Sequence, residues 1–171
     1  RPPLRSLAAI GVQSEDDGAR FAELGVDRDR IVVTGNIKYD LPRPDVTAGA
    51  LAGRFGLSPG RPVLVAGSTG PGEETKILQA FRLIREKKQD AYLVLAPRHP
   101  ERSDGVQREA TGCGFRLHAL SSGNDPAAGT ADGLLVDTLG ELSALYSLAS
   151  AGFVGGSLIP VGGHNVLEPA A

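Results

Sequence analysis

Val63-Leu64-Val65-Ala66-Gly67-Ser68-Thr69-Gly70 and Tyr92-Leu93-Val94-Leu95-Ala96-Pro97-Arg98-His99-Pro100 are short apolar runs, each ending in a turn rich in Gly or Pro. Short runs with no polar alternation are the pattern of strands buried on both faces of a parallel sheet. Between them, Glu73–Lys88 reads as an amphipathic helix, with Ile77, Leu78, Phe81 and Ile84 on one stripe. Glu73 and Glu74 stand at its N-terminal end and Lys87 and Lys88 at its C-terminal end, complementing the helix dipole. The same unit recurs downstream. Phe115–His118 and Leu134–Asp137 read as strands, and Ala151–Val154 as a strand running into Gly155-Gly156. Leu139–Ala149 reads as a helix with Leu139, Leu142, Leu145, Tyr146 and Ala149 facing inward. Strands alternating with helix-length crossovers predict an α/β fold, a Rossmann-like parallel sheet flanked by helices.

The first third is less regular. Ile10–Gln13 reads as a strand, Ser14-Glu15-Asp16-Asp17 as a capping box opening a helix through Leu24, and Gly25 as its stop. Ile31–Thr34 is a strand ending at Gly35-Asn36, Leu41–Asp45 a proline-bearing linker, and Thr47–Phe55 a short helix. Ser121–Asp132 reads as a mobile loop. No domain boundary is needed, so residues 1–171 are read as one domain.

Composition narrows the function. Lys plus Arg is 18 and Asp plus Glu is 20, a net charge of −2, which argues against binding nucleic acid through bulk phosphate neutralisation. One cysteine, Cys113, cannot form an internal disulfide, and the 3 histidines have no metal-ligand spacing. The apolar runs are strand-length, too short to span a bilayer. Glycine supplies 23 of 171 residues, clustered beside the apolar runs where backbone turns sharply or approaches a ligand. The absence of methionine reads as a piece of a longer product.

In open α/β sheets ligands bind beyond the carboxyl ends of the strands. The residues directly after each strand are therefore candidate ligand contacts: Gly35-Asn36-Ile37-Lys38, Gly67-Ser68-Thr69-Gly70, Pro97-Arg98-His99-Pro100, Asp137-Thr138-Leu139-Gly140-Glu141, and Gly155-Gly156-Ser157 leading to Gly162-Gly163-His164-Asn165 and Glu168. Gly-rich turns into helices with Arg and Lys suit a phosphate carrying a sugar or nucleotide. Gly67–Gly70 reads equally as a capped strand-to-helix turn, and it is not a Walker A motif because no Gly-Lys-Ser/Thr comes after it. Arg98-His99 between two prolines reads as functional, because rigid flanks pre-set the backbone. Glu168, one turn beyond Gly162-Gly163, is able to accept hydrogen bonds from a ribose diol or simply to favour a helix dipole. Lys38 reads as solvated from its local sequence, and Cys113 as inert.

Taken in order, Gln13-Ser14-Glu15-Asp16, Thr34-Gly35-Asn36-Ile37-Lys38-Tyr39-Asp40, Ala66-Gly67-Ser68-Thr69, Ala96-Pro97-Arg98-His99-Pro100-Glu101-Arg102, Gly140-Glu141-Leu142, Gly155-Gly156-Ser157-Leu158 and Gly162-Gly163-His164-Asn165-Val166-Leu167-Glu168-Pro169-Ala170 resemble the donor-binding half of 3-deoxy-D-manno-octulosonic acid (Kdo) transferases. One position departs: the family usually has His after Gly-Ser-Thr, where this chain has Gly70. The resemblance implies a GT-B glycosyltransferase that is inverting, independent of metal and cofactor, and takes CMP-Kdo as donor. It implies a lipid A precursor as acceptor and work at the cytoplasmic face of the bacterial inner membrane. The catalytic Glu base would lie in an N-terminal domain outside this chain, which is then a soluble nucleotide-sugar-binding piece cut at both ends and inactive alone. Pro97, Arg98, His99, Leu139, Gly140, Glu141, Gly162, Gly163, Asn165, Val166, Leu167 and Glu168 would surround CMP, and Lys38 would stabilise charge as the donor bond breaks. Alternatives are another GT-B transferase, a sugar-nucleotide epimerase-like enzyme, or a nucleotide-binding module without chemistry.

Overall fold

The computed structural model describes residues 4, 6–36, 48–58, 60–123 and 130–166. The expected linker 41–45, the centre of the expected loop 121–132, and Lys38, Leu167 and Glu168 lie outside the described residues. The chain divides into two compact units, Arg1–Arg43 and Pro44–Ala171.

In the first unit, β1 (Ile10–Val12) and β2 (Ile31–Val33) pair in parallel with Ile10 opposite Ile31, and α1 (Glu15–Glu23) connects them. Ser14 is extended and its Oγ accepts the Asp17 N–H at 3.2 Å, as a capping serine should, with three acidic residues in the first turn. Leu24 ends the helix and Gly25, at φ +92°, turns the chain away, as the expected stop should.

The second unit runs α2 (Ala48–Arg54), β3 (Val63–Thr69), α3 (Glu73–Lys87), β4 (Tyr92–Pro97), α4 (Ser103–Gly112), β5 (Leu117–Ala119), β6 (Gly133–Leu135), α5 (Leu142–Tyr146) and β7 (Ala151–Val154). Its five strands are all parallel in the order β5-β6-β4-β3-β7. Successive side chains of each strand point to opposite faces, and the two faces build two cores. Val63, Val65, Tyr92, Val94 and Leu134 pack with Leu51 of α2, Phe55 just beyond it, and Leu145 and Tyr146 of α5. Ala66, Leu93, Leu95 and Leu135 pack on the other face with Ile77, Leu78 and Phe81 of α3 and Val106 and Ala110 of α4. The continuous apolar runs are thus explained by burial on both sides.

Three details differ from expectation. The helix expected over 139–149 is shortened to α5, and Leu139 is 81% exposed instead of inward. Gly140, at φ +88°, is the cause: a left-handed residue cannot continue a right-handed helix, and Glu141 becomes the cap. β3 continues through Gly67-Ser68-Thr69, expected to be turn, with a register shift against β4 between Gly67 and Thr69. Glu73 and Glu74 are wholly buried, so their role exceeds that of solvated charges on a dipole. Among the described residues no helix is long and apolar enough to cross a membrane.

Candidate functional site

The carboxyl ends of β3, β4 and β6 converge on a cavity of about 200 Å³ bordered by Ser68, Pro97, Arg98, Thr138, Leu139, Gly140 and Ser143. Pro97 and Arg98 stand at the exit of β4, Thr138–Gly140 beyond β6, and Ser143 in the first turn of α5. The sheet order explains the convergence, since β4 lies between β3 and β6. Arg98 is the one ionic group on this wall among the described residues, and no carboxylate of theirs borders it. The Arg98 guanidinium and the hydroxyls of Ser68, Thr138 and Ser143 make no hydrogen bond or ion pair among the described residues. A cavity with one free cation, free hydroxyls and no acid is matched to an anion that accepts hydrogen bonds.

Two neighbouring buried carboxylates brace the loops around it. Glu74 Oε1 accepts the Thr69 hydroxyl and an Arg102 guanidinium N–H, each at 2.9 Å, and Arg102 also donates to the Thr69 carbonyl at 3.2 Å. The Arg98 N–H donates to the same carbonyl at 2.9 Å, which ties the β4 exit to the end of β3. Glu73 Oε2 accepts the N–H groups of Gly70 at 2.8 Å and Gly156 at 2.9 Å, and Oε1 accepts Leu158 N–H at 2.9 Å. Burial pushes the Glu73 carboxyl up, but the amides of Gly156, Leu158, Gly70 and Ser157 outweigh it and hold the group below its ordinary 4.5. The exit of β7 is thereby fastened to the start of α3.

Of the other expected site residues, none of those described lines this cavity. His99 is exposed, with Nδ1 3.5 Å from Glu101 Oε1. Glu141 pairs with Arg54 of α2 at 2.5 Å and does not border the cavity. Gly162 and Gly163 take φ +84° and +79°, and Gly163 N–H donates to Gly156 O at 3.1 Å. Neither they nor Asn165 and Val166 border the cavity, and Val166 is 59% exposed. At Gly70 a Cβ would lie 2.4 Å from Ile159 Cδ1, so Ile159 occupies the space into which a side chain at this position would grow. Ser68 and Thr138 stand among the strand-end candidates, though not among the residues expected to surround CMP, and Ser143 is a cavity residue that the sequence reading did not single out.

A larger hollow of about 370 Å³ lies between the start of α4 and β5–β6. Part of its polar lining is paired within the protein: Asp137 accepts Ser121 N–H at 2.9 Å, Arg116 donates to Thr130 O at 2.9 Å, and Gln107 donates to Leu117 O at 2.8 Å, whereas Ser103 Oγ and Gln107 Oε1 have no partner among the described residues. Asp104 and Asp137 face a single guanidinium there, which disfavours an anion.

Comparison with known proteins gives consistent matches. A family model described as 3-deoxy-D-manno-octulosonic-acid transferase (kdotransferase) matches residues 1–41, ending close to the junction of the two units at 43 and 44. The 3-deoxy-D-manno-octulosonic acid transferase of Haemophilus influenzae is 37% identical over 166 residues, covering 96% of this chain and 39% of its own length. That of Bordetella pertussis is 33% identical over 174 residues, covering 100% of this chain and 40% of its own length. This chain therefore spans about two-fifths of the length of these curated relatives. The crystal structure of the C-terminal CMP-Kdo binding domain of WaaA from Acinetobacter baumannii matches with a TM-score of 0.63 at 36% identity, over 71% of this chain and 63% of that one. With ordered motifs, parallel-sheet architecture and relatives in agreement, the chain belongs to the Kdo transferase family.

Proposed function

We propose that this chain is the donor-binding part of a glycosyltransferase that moves Kdo from CMP-Kdo to a lipid A precursor in lipopolysaccharide biosynthesis. The observation that carries the reading is the acid-free cavity at the strand ends, with a free guanidinium and free hydroxyls, in a chain 36% identical to a domain named for CMP-Kdo binding. Arg98 meets the nucleotide phosphate, and the backbone of Pro97 and of Leu139-Gly140 shapes the pocket around the nucleotide. His99, Glu141, Gly162, Gly163, Asn165, Val166 and Leu167 complete the surroundings of CMP, and Glu168 accepts hydrogen bonds from the ribose hydroxyls. Residues 1–171 act as one nucleotide-sugar-binding half of a GT-B enzyme.

The reaction is governed by charge. The acceptor hydroxyl attacks the anomeric carbon of Kdo from the face opposite the phosphate. The bond to the phosphate oxygen breaks, and CMP leaves with the electron pair, so configuration inverts. Negative charge grows on the departing phosphate, and Arg98 and Lys38 are the side chains that stabilise it without a metal. Proton removal from the acceptor needs a positioned base, a Glu supplied from outside this chain. The complete enzyme works at the cytoplasmic face of the inner membrane, where a lipid acceptor is presented.

Calorimetry with CMP, UMP and inorganic phosphate tests the reading, together with an assay for transfer from CMP-Kdo. The expected outcome is that the chain binds CMP in preference to UMP and transfers no Kdo alone. Equal or tighter UMP binding would remove the cytidine assignment, and transfer by the chain alone would remove the assignment of the base.

A further inference from the structure

We infer that Ser68 is a contact residue for the ligand's phosphate, its hydroxyl donating beside the Arg98 guanidinium. The inference rests on reading the cavity as the nucleotide-sugar site and adds a residue to it.

Ser68 has φ +55°, and among the described residues it is the one non-glycine in the left-handed region. That conformation costs a side-chain-bearing residue about 1–2 kcal/mol, and Gly would adopt it freely. The position is held in place from both sides. On one side β7 exits against it: a Cβ on Gly155 would lie 1.9 Å from Ser68 O. On the other side Thr69 is pinned by Glu74 and Arg102, and the β3–β4 register shifts between Gly67 and Thr69. The backbone therefore gives no reason for serine over glycine. What serine adds is a hydroxyl, and this one borders the cavity without a partner among the described residues. Backbone strain retained where the surroundings enforce it is a mark of functional positions. Thr138, Ser143 and Arg98 border the same cavity with donors equally unspent, so four donor side chains surround one space with no acceptor-only group among them. The oxygens of a phosphate are the chemistry that satisfies them.

The test compares wild type, Ser68→Gly and Ser68→Ala for binding of CMP, cytidine and inorganic phosphate, with thermal melts alongside. Both variants are expected to weaken CMP and phosphate by about tenfold, the loss of one charge-assisted hydrogen bond, and to leave cytidine unchanged. Ser68→Gly is expected to melt at or above the wild-type temperature, because the left-handed strain is gone. A role confined to shaping the strand end predicts the reverse: Ser68→Gly would bind CMP as tightly as wild type, and that result overturns the inference. If wild type fails to bind CMP yet binds phosphate in a Ser68-dependent way, the nucleotide reading falls and the Ser68 assignment stands. If phosphate binding is absent or indifferent to Ser68 in every arm, the assignment falls.

Discussion

Arg98 is exposed between Pro97 and Pro100 and has no ion-pair partner among the described residues, an arrangement that leaves its charge available to a ligand. Arg98→Ala is expected to weaken CMP about tenfold in dilute buffer, with the deficit shrinking as salt is raised, since added ions screen the lost attraction. Calorimetry across a salt series reads both quantities, and a salt-independent deficit would mean that Arg98 acts through packing. Glu73 is the residue whose role the sequence conceals. Its place at a helix start is fully explained by the dipole, and only the fold brings Gly156 and Leu158 to its carboxylate. Glu73 has a folded-state pKa below its unfolded one, so its stabilisation is complete above about 4.5 and disappears as pH falls through the depressed folded value. Glu73→Gln is therefore expected to cost about 1.5–3 kcal/mol at pH 7, and the gap to wild type should narrow in denaturant melts below pH 4.5. A gap that stays constant on acidification would show that charge at Glu73 contributes nothing.

At the scale of elements, the strands are legible in the sequence because burial on both faces leaves unbroken apolar runs, as at Tyr92–Ala96. The α1 cap and its Gly25 stop are legible because local chemistry alone decides them. The helix expected over 139–149 fails because the apolar spacing of Leu139 and Leu142 fits a helix, whereas the left-handed Gly140 between them breaks it. That break leaves Thr138–Gly140 as a loop at the cavity mouth, so the interrupted element is part of the candidate site. The bulge in β3 is equally hidden, because it falls at Ser68, which local sequence does not mark, where Gly155 at the exit of β7 packs against the backbone. Gly155→Ala tests that contact: its Cβ would meet Ser68 O at 1.9 Å and Thr69 Cα at 2.8 Å, backbone that cannot step aside. The expected loss is about 2–3 kcal/mol, a fall in Tm of roughly 5–10 °C, read by calorimetric melting. A melt unchanged from wild type would show that β7 does not press on the bulge.

Across the whole molecule, strands alternating with helix-length crossovers carry the α/β class, charge balance and the single cysteine exclude other classes, and the ordered motifs carry the family. What they leave undetermined is which strand ends meet, because the order β5-β6-β4-β3-β7 is a property of the folded sheet. That order brings the exits of β3, β4 and β6 together into the acid-free cavity and leaves the larger hollow between α4 and β5–β6 with two carboxylates, Asp104 and Asp137, beside the single Arg116 guanidinium. The central claim, that the donor nucleotide is held in the first of these, is tested most directly by an amide-resolved NMR titration of the chain with CMP. The account predicts saturable shifts concentrated at Ser68, Arg98 and Thr138–Gly140. Shifts clustered instead at Ser103, Gln107 and His118, which border the larger hollow, or no shifts at millimolar CMP, would contradict it.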